Sequence, residues 1–187
     1  MESKSNFHIV TPFYRHQNRA LLQKNLEGFI WHPIEGNFPN FGDQAYAKIN
    51  HFIQTAEIID DDYYQILNDD DALPADFIRT TREIGGDIVI FSLDRGQRTP
   101  PEAQGIHRHE AGKLIASREN MRIGGMGLQQ IRFKGSLFKT LRCADHPFAD
   151  GMIAQSLRDR DDIVFVPDVF ILFNYLEPGR YDKNHSN

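Results

Sequence analysis

Residues 63–73, Tyr-Tyr-Gln-Ile-Leu-Asn-Asp-Asp-Asp-Ala-Leu, carry an apolar extended segment directly into three adjacent carboxylates. Tyr63, Tyr64, Ile66 and Leu67 are aromatic, β-branched or apolar types that fit a buried strand, whereas Asn68, Asp69, Asp70 and Asp71 cannot continue inside a core. The chain must therefore reach an edge here, and the carboxylates are expected at a strand's C-terminal end. In open α/β sheets that is the edge where ligands bind. Three acidic groups held together repel one another, and a hard divalent cation relieves the repulsion by taking oxygen ligands while it holds a substrate phosphate. The stretch thus predicts a metal-bridged diphosphate. The plainer alternative is a solvated turn, with Asp71 capping a short helix that begins near Pro74. An EF-hand is excluded, because the alternating ligands, central Gly and closing Glu of that loop are absent.

Strand-like and helix-like segments alternate on both sides of this stretch. Residues 7–11 form a short apolar strand stopped by Pro12, and residues 18–29 repeat apolar side chains at helical spacing. Between them Pro12, Phe13, Tyr14, Arg15, His16 and Gln17 combine rings with a cation, a mixture suited to stacking on a base and meeting a phosphate; a plain connection is the alternative. Residues 29–34 read as a second strand, 35–43 as a Gly, Asn and Pro-rich loop, and 44–55 as a helix with Ala45, Ile49, Phe52 and Ile53 on its apolar side. Lys48 and Asn50 lie off that stripe or at its margin, which for a lysine ordinarily means a solvated surface. A helix is expected over 74–83 with Phe77 and Ile78 buried. Residues 87–93 are nearly continuous in apolar types, as strands covered on both faces are, which favours a largely parallel sheet.

The remainder is less regular. Residues 94–122 are polar and receive no assignment. His107, His109 and Glu110 within them invite a metal reading that lacks a further ligand at a telling spacing, so an exposed loop is favoured. Gly124, Gly125 and Gly127 are too loosely spaced, after no clear strand, to be a dinucleotide fingerprint. A strand is expected over 130–133 and a helical turn over 134–141. Asp150 precedes an apolar-patterned helix, where its default role is the N-cap. Residues 163–166 and 169–173 read as a final pair of strands around Pro167-Asp168, followed by a polar tail over 177–187.

The 187 residues, 40% hydrophobic, fit one α/β domain with an ordinary core. A net charge of −5 argues against a general nucleic-acid or membrane-surface binder. The single cysteine, Cys143, allows no intrachain disulfide and no Cys-based zinc site. No apolar run approaches the length of a membrane span, and the first residues lack a signal-like core, so a soluble cytoplasmic protein is expected.

Taken in order, these parts resemble the glycosyltransferases of the GT-A fold, and within them the family-2-like nucleotide-sugar transferases, over most of the chain. Ile9-Val10-Thr11-Pro12-Phe13-Tyr14-Arg15 looks like that family's first strand and nucleotide loop, and Ala47-Lys48-Ile49-Asn50 resembles the helix before its acidic strand. Residues 66–73 are similar to its DxD segment, Phe148-Ala149-Asp150 to its Glu-Asp motif, and residues 163–169 to the strand pair that closes such domains. The resemblance implies a mostly parallel sheet flanked by helices and transfer of a sugar from a nucleotide diphosphate, with a UDP-sugar the first expectation. The acceptor would be a hydroxyl of a glycan or other molecule. It implies donor contacts from Pro12, Phe13, Tyr14, Arg15 and Lys48, and from Asn68, Asp69 and Asp70. Mn²⁺ or Mg²⁺ would be held by Asp69, Asp70 and Asp71, with His185 a late ligand in the tail. Asp150 would be the general base of an inverting displacement, a retaining outcome being left open.

Several positions depart from the pattern. Asn68 stands where the family has Asp, so the DxD pair is either Asn68 with Asp70 or Asp69 with Asp71. Ala149 replaces the Glu of the Glu-Asp pair, an acidic reader of the base has no clear counterpart, and no long C-terminal acceptor module follows. The expectation is a near-minimal catalytic core over residues 1–187. A nucleotidyltransferase and a silent nucleotide-sugar-binding module are the competing classes; the former's Gly-rich basic signature after the first strand is missing.

Overall fold

The computed structural model describes residues 5–38, 42–95, 112–173, 175 and 176. Its first strand, β1 (Phe7–Pro12), is buried at every position and takes in Pro12, which had been expected to end it. A 3₁₀ turn (His16–Asn18) leads into α1 (Arg19–Asn25), shorter than the periodicity predicts, and Gly28 (φ 91°) turns the chain into β2 (Ile30–Ile34). The next helix, α2 (Gln44–Thr55), has the predicted bounds, because Asp43 caps it by accepting from the amides of Ala45 and Tyr46. Then come β3 (Tyr63–Ile66), α3 (Phe77–Thr81) and β4 (Ile88–Asp94). Asp71 does not cap α3, which starts after Asp76. The described part of the unassigned stretch contributes β5 (Lys113–Leu114). Beyond it lie β6 (Ile131–Lys134), α4 (Gly135–Phe138), α5 (Ala149–Leu157) and β7 (Ile163–Leu172). The two closing strands read from sequence are thus one strand, whose pairing with β4 shifts between Phe91 and Ser92, opposite Pro167, Asp168 and Val169. Pro lacks a ladder donor, so a bulge is where a strand can keep one; the Ser92 hydroxyl donates to the Pro167 carbonyl at 2.8 Å there.

These seven strands form one sheet in the order β2-β1-β3-β6-β4-β5, with β7 also on β4. β2, β1, β3, β4 and β7 run one way, while β6 and β5 run against them, so the sheet is mixed but mostly parallel. Alternation along the strands sends side chains to two cores. Val10, Ile66, Ile88, Ile90 and Phe133 meet α2, α4 and α5 on one face. Ile9, Leu67, Val89 and Phe91 meet α1 and α3 on the other. Each fully buried Ile or Phe contributes roughly 1.5–3 kcal/mol, so helices on both faces are what hold so apolar a sheet out of water.

At the N-terminal edge of the strands His8 bridges two partners. Its Nε2 lies 3.1 Å from Asp62 Oδ2 and its Nδ1 2.9 Å from Nε2 of His32 on the edge strand β2. Burial raises the Asp62 carboxyl, but hydrogen bonds from Asn6 and His8 outweigh it and hold the group below its ordinary value. Burial, and then neighbouring His8, push the His32 imidazole down. Both shifts have the same sign: the unfolded chain binds more protons than the folded one as pH falls. The stability His32 contributes is whole above an unfolded pKa of about 6.5 and lost as pH falls through its lower folded value; that of Asp62 follows below about 3.9. The melting temperature is therefore expected to decline in two steps on acidification, and His32→Gln to remove the upper one. A single step at carboxylate pH in the parent would contradict this.

Candidate active site

The strand and helix directions bring every described candidate residue to one edge. β1 and β3 end there in residues 12–15 and 68–71. Because α2 returns from that edge to the start of β3, its N-terminal turns lie there too, as does the start of α5, which runs back to the start of β7. Within the acidic run the side chains are not solvated: Asp69 is 1%, Asp70 6% and Asp71 0% exposed.

Their burial follows from the loop after β1, which wraps around Asp69. The Tyr14 and Arg15 amides each donate to Asp69 Oδ2 at 2.6 Å, and the Arg15 guanidinium donates to Oδ1. Nδ2 of buried Asn18 reaches the Asp69 carbonyl at 2.8 Å. The same guanidinium extends to Asp70, with Nη2 2.9 Å from Oδ2. Burial pushes the Asp70 carboxyl up, Arg15 opposes this, and the Asp69 charge adds to it. Asp71 instead closes a turn with Asn68, whose Nδ2 donates to its Oδ2 at 3.0 Å and whose carbonyl accepts from its amide at 3.2 Å. From behind, the C-terminal end of β7 pins the run. Ala72 and Leu172 exchange backbone bonds of 2.9 Å, and the Leu176 amide donates to the Asp70 carbonyl at 3.0 Å.

Lys48 is a correction to the surface reading of the sequence, being 2% exposed. Its Nζ donates to the Phe13 carbonyl at 2.5 Å and lies 3.5 Å from the Tyr14 ring centroid. Burial lowers the ammonium below its ordinary value, although Asp69 and Glu35 pull the other way. Pro12 and Phe13 are buried, Phe13 packing at 1% exposure among Ile9, Leu22 and Leu67, whereas the Tyr14 ring is 40% exposed. Of Phe13 and Tyr14, Tyr14 is thus the one that offers a ring to a planar ligand, with Lys48 Nζ already over one face. His185, and the pair His107 and His109 with Glu110, lie outside the described residues.

Asp150 is not the N-cap. Phe148 holds that position without a side-chain bond, and Asp150 stands in the first turn of α5, half-buried, its Oδ1 accepting from the Gly151 amide at 2.7 Å. The helix starts two residues earlier than an Asp150 cap would place it, and the Ala149 amide is satisfied by the His146 carbonyl. Tyr46 of α2, which nothing in the sequence singles out, sets its hydroxyl 3.3 Å from the Asp150 amide. Asp145, the other acidic candidate nearby, is spent on backbone: its carboxylate accepts from Gly42 and Asp43 at 2.9 and 3.0 Å.

The two central carboxylates are predicted to differ on substitution. Asp69→Asn removes the charge from three donors and is expected to cost roughly 1.5–3 kcal/mol, the worth of a hydrogen bond to an ionised group. Asp70→Asn removes a buried charge whose raised pKa marks it as destabilising, so stability at neutral pH should be unchanged or higher. Urea unfolding of the two variants checks this, and equal losses would refute the distinction.

No sequence profile of a known protein family matches the chain, and no curated protein matches it. Among solved structures, "Crystal structure of S. aureus TarS 1-349" is similar at TM-score 0.48 and 12% identity, over 89% of this chain and 60% of that one. The chain spans less than two thirds of the length of that structure.

Proposed function

We propose that the chain is a GT-A-type glycosyltransferase of the family-2-like group, which moves a sugar from a nucleotide diphosphate donor to an acceptor hydroxyl. The observation that carries the reading is the knot of Arg15 with Asp69 and Asp70 at the carboxyl edge of β1 and β3, flanked by buried Lys48 and the open ring of Tyr14. Arg15, partly exposed, would turn from Asp69 and Asp70 to the phosphates of a donor whose base meets the Tyr14 ring, and a UDP-sugar is the donor we propose first. Asp150 at the same edge takes the proton of the acceptor hydroxyl. The freed oxygen then attacks the anomeric carbon, and the bond to the diphosphate breaks with its electron pair leaving on the phosphate oxygen, an inverting displacement.

Mn²⁺ and Mg²⁺ take oxygen ligands, chiefly carboxylates and phosphates. Among the described residues no three His, Cys, Asp or Glu side chains converge as a metal cage. The oxygens of Asp69 are taken by the loop and Asp71 is committed to its turn with Asn68. Asp70 would be the carboxylate to hold such a cation, an oxygen ligand of the hard kind these ions prefer. When bound, such a cation would stabilise the charge on the leaving diphosphate as a Lewis acid. Among the described residues no helix is long and apolar enough to cross a membrane.

The experiment is release of free nucleoside diphosphate from a panel of nucleotide sugars, with and without Mn²⁺, with UDP expected. Release of sugar 1-phosphate would point instead to nucleotidyl transfer. Donor binding without release would leave a binding module. Asp70→Asn is the companion variant, expected to lose most of the Mn²⁺-dependent UDP affinity in calorimetry.

A further inference from the structure

Helix α2 is stitched to the segment that leads into α5 at three places along its length. At its start the Asp145 carboxylate takes the amides of Gly42 and Asp43. Two turns later Asn50 clasps the backbone of Cys143 in both directions, donating to its carbonyl at 2.8 Å and accepting from its amide at 2.9 Å. Between these lies Tyr46, whose hydroxyl accepts from the Asp150 amide at 3.3 Å, which sets the phenol beside that residue's carboxylate. On another side of the same helix Lys48 holds the Phe13 carbonyl. One short helix, capped by Asp43, therefore touches both the loop that encloses Asp69 and the carboxylate at the head of α5.

The first two stitches already fix the segment, and a phenylalanine would fill the space of the Tyr46 ring. What the hydroxyl adds is a hold on Asp150 alone. The Gly151 amide engages Oδ1 of that carboxylate at 2.7 Å, and a phenol donating to it as well would leave it one orientation rather than two. Burial raises the phenol well above its ordinary value, with the Asp150 charge adding to the effect, so Tyr46 stays a neutral donor throughout the working range of pH. Asp43 is the other charged group acting on it.

We propose that Tyr46 is the positioning residue for Asp150, its hydroxyl orienting the carboxylate and α2 setting that carboxylate's place relative to the Arg15 loop. This rests on the reading of Asp150 as the base that takes the acceptor's proton. A hydrogen bond donated to a carboxylate favours its ionised form, so the titration of Asp150 reads whether the phenol reaches it.

The test uses Tyr46→Phe in the full chain, which removes one oxygen from a half-buried ring and should fold. In carboxyl-labelled protein, the NMR titration of Asp150 is expected to move to higher pH in Tyr46→Phe. In transfer assays the variant should lower kcat with little change in donor KM, move the acid limb of the pH profile upward by the same amount, and cost nothing further when added to Asp150→Asn. A merely structural tyrosine would move none of these together. An Asp150 titration identical in parent and Tyr46→Phe would overturn the contact, and a full additional loss in the double variant would overturn the positioning role. If the parent transfers no sugar, the glycosyltransferase reading and with it the positioning role fall, while the titration still decides whether the hydroxyl holds the carboxylate.

Discussion

Asp150→Asn is expected to bind donor normally and to lose sugar transfer by a factor on the order of 10² to 10⁴, the range usual for removing a general base. The geometry makes the substitution clean. An amide keeps an oxygen for the Gly151 amide, now 2.7 Å from Oδ1, and Phe148 rather than Asp150 occupies the cap position, so the helix loses no cap. The N-terminal end of a helix favours a negative side chain by roughly 0.3–1 kcal/mol at an exposed site, which bounds the stability cost. Removal of proton-accepting power is then the one large change. Transfer within a few-fold of the parent, at an unshifted melting temperature, would take Asp150 out of the mechanism. Asp145 would be a poor replacement, because both its oxygens already serve the backbone at Gly42 and Asp43.

Gly135→Ala is expected to be the most destabilising single methyl in the described chain. Gly135 opens α4, and its φ lies in the ordinary range, so the demand is for space rather than for conformational freedom. A Cβ there would sit 1.9 Å from the Ile59 carbonyl oxygen, 2.8 Å from its carbon and 3.1 Å from the Tyr64 ring. None of these neighbours is free to give way. The Ile59 amide donates to the Tyr64 hydroxyl at 3.0 Å, the Asp62 amide to the Ile59 carbonyl at 3.2 Å, and the Gly135 amide itself to the Asp62 carbonyl at 2.8 Å. Overpacking against backbone belongs at the upper end of the usual penalty, ~3 kcal/mol. For a chain of this length that is a fall of roughly 6–12 °C in melting temperature. Thermal and urea unfolding would both read it, and a variant melting with the parent would refute the tight approach.

Where partners are local, the sequence already carried the answer. The bounds of α2 follow from a capping Asp43 and an apolar stripe, both visible in one window. The acidic run at a strand end was legible as to its place but not its burial, because the loop that encloses Asp69 lies more than 50 positions earlier. What stayed hidden were groups whose partners are backbone atoms or rings far along the chain. Lys48 reads as a surface residue until the Phe13 carbonyl, 35 positions earlier, is seen to receive its ammonium. Arg132 sits in a strand with the spacing of a solvent-facing residue, yet is 1% exposed. Its guanidinium donates to the Thr81 and Ile84 carbonyls past the end of α3 and lies among the rings of Phe7, Tyr63 and Phe91, and burial brings its pKa down to about 10. The direction of β6 was hidden for a related reason: four residues of strand pattern do not say which way they run.

That antiparallel strand has a consequence for the order in which the chain can assemble. β6 sits at the centre of the sheet, between β3 and β4, although it follows both in sequence, and its Lys134 pairs with Tyr63. During synthesis at about 5–20 residues per second, the ribosome delivers β1, β2, β3 and β4 well before the strand that joins them. In that interval β3 and β4 each present a bare row of amides and carbonyls, a template for pairing with another chain. Nascent chains halted before residue 131 should therefore aggregate, whereas chains extended past residue 134 and clear of the exit tunnel should gain protease resistance in β3 and β4 together. The centre of this protein is closed from the outside in, by a piece that arrives late.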